Sequence, residues 1–346
     1  MIANFAVTYR CQSRCRNCNI WRIEDVGKEE LSLEEIGDLF SSNRKFLSDI
    51  RSIQITGGEP FLRDDLPEIL STIHGTLPEC AFWIPTNGLN PHLIEKGMGG
   101  ILGALEGVDV GVSVSIDGIG ETHDELRGIN GSFEMAVDTL ARLSLLRGDD
   151  TELQLSVGMT LTPINSGEMM EVYSLARSLN AEFSFRPINF SEHYYRNQDD
   201  TFNPRTSVEE ILPVIQKIGH DILKRRGLRA SLTTLRYMQG TLDYIRKDGV
   251  RTLPCTAGSD SFFLDTNGDV YPCIIMDRRM GNIREEKLGK LWYSETSERT
   301  RQRIAEGRCP GCWVECEVYR EILNNKLSLT ATALNALMHP STAGIY

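Results

Sequence analysis

Six short runs of β-branched and aromatic residues, recurring roughly every thirty positions, constrain this chain's fold more than any other feature. They are Asn4 to Tyr9, Arg51 to Thr56, Phe82 to Thr86, Val108 to Ile116, Leu153 to Leu161 and Glu182 to Pro187. Segments of helical periodicity lie between them and open with start signals. Ser32 and Glu35 form a capping box ahead of Leu33, Ile36, Leu39 and Phe40, and Asp65 with Pro67 and Glu68 opens the next helix. Ser132 precedes Phe133, Val137 and Leu140, and Ser166 precedes Met169, Val172, Ala176 and Leu179. Six consecutive strand–helix units predict parallel strands joined by right-handed crossovers, as a partial barrel or as an open doubly wound sheet. In both, the working face lies at the carboxyl ends of the strands.

The pattern changes after Asn189. Phe190 to Asn203 is polar and aromatic without a period, and helices are expected at 207–226 and 231–247. From Leu253 the chain turns cysteine-rich, and Asn267-Gly268 between Phe262–Leu264 and Val270–Tyr271 predicts a tight hairpin. A helical tail is expected over 318–338. The organisation read from these shifts is a core over 1–189, a helical connector over 190–252, a small cysteine-rich module over 253–318 and a tail over 319–346.

The 346 residues suffice to bury a core without disulfide staples. Lys plus Arg number 37 against 48 Asp plus Glu, and the net charge of −11 argues against bulk nucleic-acid binding. No run is apolar enough for a membrane span and no signal peptide opens the chain, so a cytoplasmic location is expected. In that reducing setting nine cysteines read as metal ligands or buried apolar residues rather than disulfides.

Cys11, Cys15 and Cys18 lie just past the first strand, separated by three and then two residues, on a loop made polar by Gln12, Ser13, Arg14, Arg16 and Asn17. A structural zinc site wants a fourth ligand, and the next histidine is His74. A 4Fe-4S cluster normally takes four thiolates, so three leave one iron open to a small molecule. Here the sequence resembles the radical S-adenosylmethionine superfamily, whose signature is three cysteines so spaced after the first strand of a partial (βα)6 barrel. Thr56-Gly57-Gly58-Glu59-Pro60, ending the second strand, resembles the segment that lines the methionine moiety of the cofactor in that family. Weaker matches are Thr86-Asn87-Gly88, the group Ser113, Ser115, Asp117 and Gly118, and His123 to Arg127.

The resemblance implies an α/β fold, a partial (βα)6 TIM-like barrel, with S-adenosylmethionine chelated by the open iron of a 4Fe-4S cluster on Cys11, Cys15 and Cys18. It implies cofactor contacts from Gly57, Gly58, Glu59, Pro60, Asn87, Ser115, Asp117 and Arg127. Many members carry an aromatic residue before the third cysteine. This chain has Asn17 there, which leaves Trp21 or Tyr9 for the adenine side.

Cys255, Cys273, Cys309, Cys312 and Cys316 form a second group. Paired Cys-x-x-Cys units also build zinc ribbons, so zinc stays an alternative. The arrangement resembles the SPASM and Twitch auxiliary-cluster domains, in which a glycine followed by four residues and a cysteine, here Gly268 and Cys273, comes after a first cysteine, here Cys255. Five cysteines rather than the full SPASM set of seven imply one auxiliary 4Fe-4S cluster. Cys255, Cys273, Cys309 and Cys312 are its expected ligands, and Cys316 is a replacement ligand or a spare thiol. Cys80 stands alone and reads as structural.

The implied activity is reductive cleavage of S-adenosylmethionine and hydrogen abstraction from an unactivated C–H bond, with the auxiliary cluster handling electrons. The implied partners are a flavodoxin- or ferredoxin-type reductant and a small-molecule, lipid or peptide substrate. Cys11 lies close to the start, which lowers the expectation of a fused leader-binding or cobalamin domain. Arg186, Tyr194, Tyr195 and Arg196 read equally as substrate contacts and as surface or packing residues, and no acid, base or nucleophile is assigned. The alternatives from another class are an iron–sulfur electron carrier and a zinc-binding interaction protein.

Overall fold

The computed structural model describes residues 1–24, 27–147, 153–198 and 206–346; positions 199–205 of the expected connector lie outside them. The six expected strands form, as β1 (Ile2–Thr8), β2 (Ser52–Gly57), β3 (Ala81–Thr86), β4 (Val110–Ser115), β5 (Leu153–Leu161) and β6 (Glu182–Pro187). They pair in chain order and in parallel, and the sheet's strand order leaves β6 and β1 unpaired with one another, so the barrel is partial.

Seven helices accompany them: α1 (Leu33–Ser42), α2 (Arg44–Leu47), α3 (Leu66–Thr76), α4 (Pro91–Ala104), α5 (Glu121–Arg127), α6 (Ser132–Arg147) and α7 (Met169–Ser178). The capping box at α1 is present, with Glu35 N donating to Ser32 Oγ and Ser32 N donating to the Glu35 carboxylate. Ile36, Leu39 and Phe40 are buried from α1, and Ile69, Leu70 and Ile73 from α3, against the outward faces of the strands. Asp65 caps nothing with its side chain, because its carboxylate pairs with Arg63 instead.

The connector's helices merge into α8 (Val208–Arg246), broken at Gly227, whose φ of 74° only glycine adopts without strain. The hairpin forms as β7 (Ser261–Leu264) and β8 (Asp269–Tyr271), followed by β9 (Gly281–Asn282). It is not a separate layer. β7 pairs in parallel with β1, Ile2 opposite Ser261 through Phe5 opposite Leu264, so the cysteine-rich segment extends the barrel's own sheet. Arg284 reinforces the join by donating to Glu35 of α1, at 2.6 Å from Nε.

Then come α9 (Leu288–Trp292), α10 (Glu295–Ala305), α11 (Glu315–Asn324) and α12 (Lys326–Met338). The single expected tail helix is two, because Asn325 stops α11 and caps α12 by accepting from Ser328 N. Trp313, fully buried, locks α8 to this end of the chain. Its indole donates to Tyr237 O, and its ring fills the space where a Cβ on Gly240 would come within 1.9 Å. No helix among the described residues is long and apolar enough to cross a membrane.

Candidate cluster and cofactor site

Barrel interiors are usually filled with branched apolar side chains. Here the inward positions of β4, β5 and β6 are small and polar, with Ser113 opposite Ser156, Ser115 and Ser184 both opposite Gly158, and Thr160 opposite Arg186. The space so left is a cavity of about 810 Å3, within the range of small-molecule sites. Cys11, Cys15 and Cys18 all line it.

The thiol loop is held from two sides. Arg14 N and Arg16 N donate at 2.9 Å to the carbonyls of Arg127 and Leu126, at the C-terminal end of α5. A Cβ on Gly128, which ends that helix at φ 68°, would lie 2.3 Å from Arg14 O. From the connector, Asn19 N donates to Tyr195 O, and Asn197 Nδ2 donates to Asn17 O. Three polar groups face the sulfurs: Ser13 Oγ lies 3.0 Å from Cys15 Sγ, Arg127 Nη1 donates to Cys15 Sγ at 3.7 Å, and Asn87 Nδ2 donates to Cys11 Sγ at 3.8 Å.

Burial pushes the Cys11 thiol up to about 12, with Cys15 adding to it, and drives Cys18 upward for the same reason. Thiols that resist ionisation next to one another are suited to share a cationic centre, which stabilises the thiolates.

The glycines of the second motif are required by close approach. A Cβ on Gly57 would lie 2.0 Å from Thr8 O, and one on Gly58 would lie 2.3 Å from Arg10 O. Gly58 N and Glu59 N donate at 2.8 Å to those same carbonyls, fixing the end of β2 against the start of the thiol loop. Tyr194 adds a third tie: its hydroxyl lies 2.6 Å from Thr56 Oγ1 and donates to Gly57 O. Tyr194 therefore packs inside the protein and is not a surface residue.

Of the residues expected at the cofactor, Gly57, Gly58, Asn87, Ser115 and Arg127 line the cavity. Glu59, Pro60 and Asp117 stand behind its wall. Glu59 is 1% exposed, and its carboxylate accepts from Asn87 N at 2.7 Å, Thr86 Oγ1 at 2.9 Å and Phe61 N, so it braces β3 against β2. Burial holds that carboxyl up at about 7 despite the donors. Asp117 pairs with Arg127 at 2.8 Å and accepts from Thr160 N, and its own N–H donates to His123 Nδ1. Trp21 lines the cavity, whereas Tyr9 packs with Tyr194 and Phe263 outside it.

The second cysteine group divides. Cys255, Cys273, Cys309 and Cys312 line one small pocket with Ala257, Ile275, Met276 and Ile304, while Cys316 lines the large cavity. Arg251 Nη1 donates to Cys312 Sγ at 3.6 Å and Met276 N donates to Cys273 Sγ at 3.3 Å. Burial raises Cys255, Cys273 and Cys312, the last to about 12. Cys80 is 1% exposed in the main core. Among the described residues no three His, Cys, Asp or Glu side chains converge tightly enough for a single metal ion.

Sequence reasoning gave no role to Asn197 or Arg251, because each acts on a segment distant along the chain, Asn197 on Asn17 and Arg251 on Cys312.

Comparison with known proteins agrees with this geometry. Residues 5–176 match the Radical SAM superfamily, and residues 255–316 match the SPASM iron-sulfur cluster-binding domain. The AdoMet-dependent heme synthase of Methanosarcina barkeri is 27% identical over 88% of this chain and 86% of its own length. The antilisterial bacteriocin subtilosin biosynthesis protein AlbA of Bacillus subtilis is 25% identical over 90% of this chain and 67% of its own. The solved structure of native anSMEcpe with bound AdoMet and Cp18Cys peptide covers 96% of this chain and 99% of its own at a TM-score of 0.63 and 14% identity, a likeness of fold.

Proposed function

The chain belongs to the radical S-adenosylmethionine superfamily, is an enzyme that binds a 4Fe-4S cluster with S-adenosylmethionine, and carries a SPASM iron–sulfur domain, and from that premise we propose that it abstracts hydrogen from an unactivated C–H bond of an organic substrate. The observation that carries this is the convergence of three half-buried thiols, two glycines with no room for a Cβ, and Arg127 on one cavity. A 4Fe-4S cluster held by Cys11, Cys15 and Cys18 would supply one-electron reduction of bound S-adenosylmethionine, the source of hydrogen-abstracting power.

The chain's own residues bind, orient and shield. Cys11, Cys15 and Cys18 hold the cluster. Gly57 and Gly58 bring backbone close to the methionine moiety, with Glu59 as their brace rather than a ligand. Arg127, kept cationic by Asp117 and Cys15 against the opposing effect of burial, faces the cofactor's carboxylate. Asn87 and Ser115 supply polar contacts, Trp21 covers the adenine side, and Pro60 shapes the turn behind the glycines.

Cys255, Cys273, Cys309 and Cys312 hold one auxiliary cluster with all four thiols engaged, which fits it for electron transfer. Cys316 stands apart as a thiol of the main cavity. The reductant is a small flavodoxin- or ferredoxin-type protein, docking where local charge offsets the net −11.

The test is anaerobic reconstitution with iron and sulfide, then incubation with S-adenosylmethionine and dithionite, reading 5′-deoxyadenosine by chromatography. Wild type is expected to form it and Cys18→Ala is not. Wild type that holds a reduced first cluster yet forms none overturns the reading.

A further inference from the structure

The cavity wall is rich in arginine. Arg127, Arg177, Arg186, Arg225, Arg226 and Arg320 line it, against the carboxylates of Glu182 and Glu315. Four of the six arginines are neutralised within the chain: Arg127 by Asp117, Arg225 by Asp221, Arg226 by Glu182, and Arg320 by Glu317 and Glu321. Arg177 is exposed on α7. Arg186 differs from all of these. It lies near the C-terminal end of β6, in register with Thr160 of β5, on the same inward face as Ser184. No carboxylate among the described residues comes within 4.0 Å of it.

A guanidinium taken out of water without a counter-ion is costly, and removing water lowers its basicity. Arg186, half-buried, stays cationic, its proton held by the carboxylates of Glu315 and Asp117 in its surroundings. Glu315, on α11, acts from beyond ion-pair distance. Asn4, 1% exposed on β1, also lines this cavity, and its Nδ2 has no acceptor among the described residues. A planar fork of donors with no carboxylate of the described residues within reach matches the paired oxygens of an oxyanion such as a carboxylate.

We propose that Arg186 is a specificity-determining residue that holds a carboxylate of the substrate at the end of β6, so that this enzyme acts on carboxylic acid anions. The proposal rests on reading this cavity as the hydrogen-abstraction site. The substrate's carboxylate belongs to the β6 side, while Arg127, tied to Asp117 and Cys15, belongs to the cofactor's side. The Asn4 amide offers a second, deeper donor for an acceptor oxygen of the same molecule.

The experiment is isothermal titration of the anaerobically reconstituted holoenzyme, saturated with S-adenosylmethionine, with butyrate, succinate and benzoate and with their primary amides. At least one carboxylate is expected to bind, with its amide ten-fold weaker or worse. Arg186→Gln is expected to lose 10- to 100-fold in carboxylate affinity, the scale of a charged hydrogen-bonded pair. Arg186→Lys, which keeps the charge and loses the fork, should fall between them. Iron content and S-adenosylmethionine binding report whether Arg186→Gln is folded, and Arg186→Lys carries the test if it is not.

Three outcomes overturn the proposal: no carboxylate binds wild type, the amides bind as well, or the variants bind like wild type. A carboxylate that competes with S-adenosylmethionine also overturns it, by assigning Arg186 to the cofactor. Failure of the radical reading looks different, as absent 5′-deoxyadenosine from wild type while the carboxylate preference stands.

Discussion

The two thiol groups of this protein are built from the same parts in opposite surroundings. Each has an arginine donating to one sulfur, Arg127 to Cys15 and Arg251 to Cys312. Each has thiols that burial holds protonated until something cationic arrives. The first group, however, has three thiols on a polar loop that opens onto about 810 Å3 of cavity. The second has four around a small pocket walled by Ala257, Ile275, Met276 and Ile304. A centre that must receive a small molecule needs an open position, and a centre that only passes electrons is better closed and desolvated. Location follows the same division, since the first sits at the strand ends, and the second lies between the flanks of the β7–β8 hairpin (Cys255, Cys273) and the segment joining α10 to α11 (Cys309, Cys312).

The comparison breaks most sharply on metal content. Two complete clusters amount to about eight irons per chain. Cys312→Ala is expected to lose about half of that iron while the first cluster, monitored with S-adenosylmethionine by electron paramagnetic resonance, stays intact. Cys316→Ser should keep the full complement, because its thiol borders the large cavity and not the small pocket. Iron lost from Cys316→Ser and retained in Cys309→Ser would exchange their roles.

The next effect lies on the open side alone. In Gly58→Ala the new methyl would meet Arg10 O at 2.3 Å and Tyr9 O at 2.8 Å, both backbone atoms that no side-chain rotation relieves. The ends of β1 and β2 must separate, at a cost of about 2 kcal/mol. S-adenosylmethionine affinity, measured by equilibrium binding, should fall about ten-fold or more, with the auxiliary cluster untouched. Unchanged affinity would show that backbone approach at Gly58 does not matter to the cofactor.

The two regions also differed in how far they could be read in advance. Strands β1 to β6 were legible because each is a local run of strand-forming residues with a helix-start signal behind it, and Cys11, Cys15 and Cys18 were legible because their spacing is local. The hairpin at Asn267-Gly268 was equally plain. Its attachment was not, since pairing β7 with β1 joins residues about 260 positions apart and leaves no periodic trace. The same holds for Glu59 and Asp117. Motif position put them at the cofactor, but a buried carboxylate goes where donors are, and here those are Asn87 N, Thr86 Oγ1 and Thr160 N behind the wall. Gly227 and Asn325 altered the helices for reasons of turn geometry that helical periodicity does not register.

The smallest expected effect concerns His123, which serves the open site from behind. Fully buried, it accepts from Asp117 N through Nδ1, and Asp117 in turn holds Arg127 against Cys15. Burial, assisted by Arg127, lowers its pKa from 6.5 to about 4. The unfolded chain therefore takes up a proton below about pH 6.5 that the folded chain refuses until about pH 4. Stability from this group is complete above the unfolded value and is lost as pH falls through that window. Between pH 7.5 and 5.5 the loss is about 1 kcal/mol, at about 1.4 kcal/mol per unit of pKa difference at full development. Urea unfolding across that range should show it in wild type, and His123→Asn, which keeps an acceptor for Asp117 N but cannot titrate, should flatten it. A slope unchanged in the variant would mean that another group sets the acid sensitivity, and that Arg127 is held in place without help from this histidine.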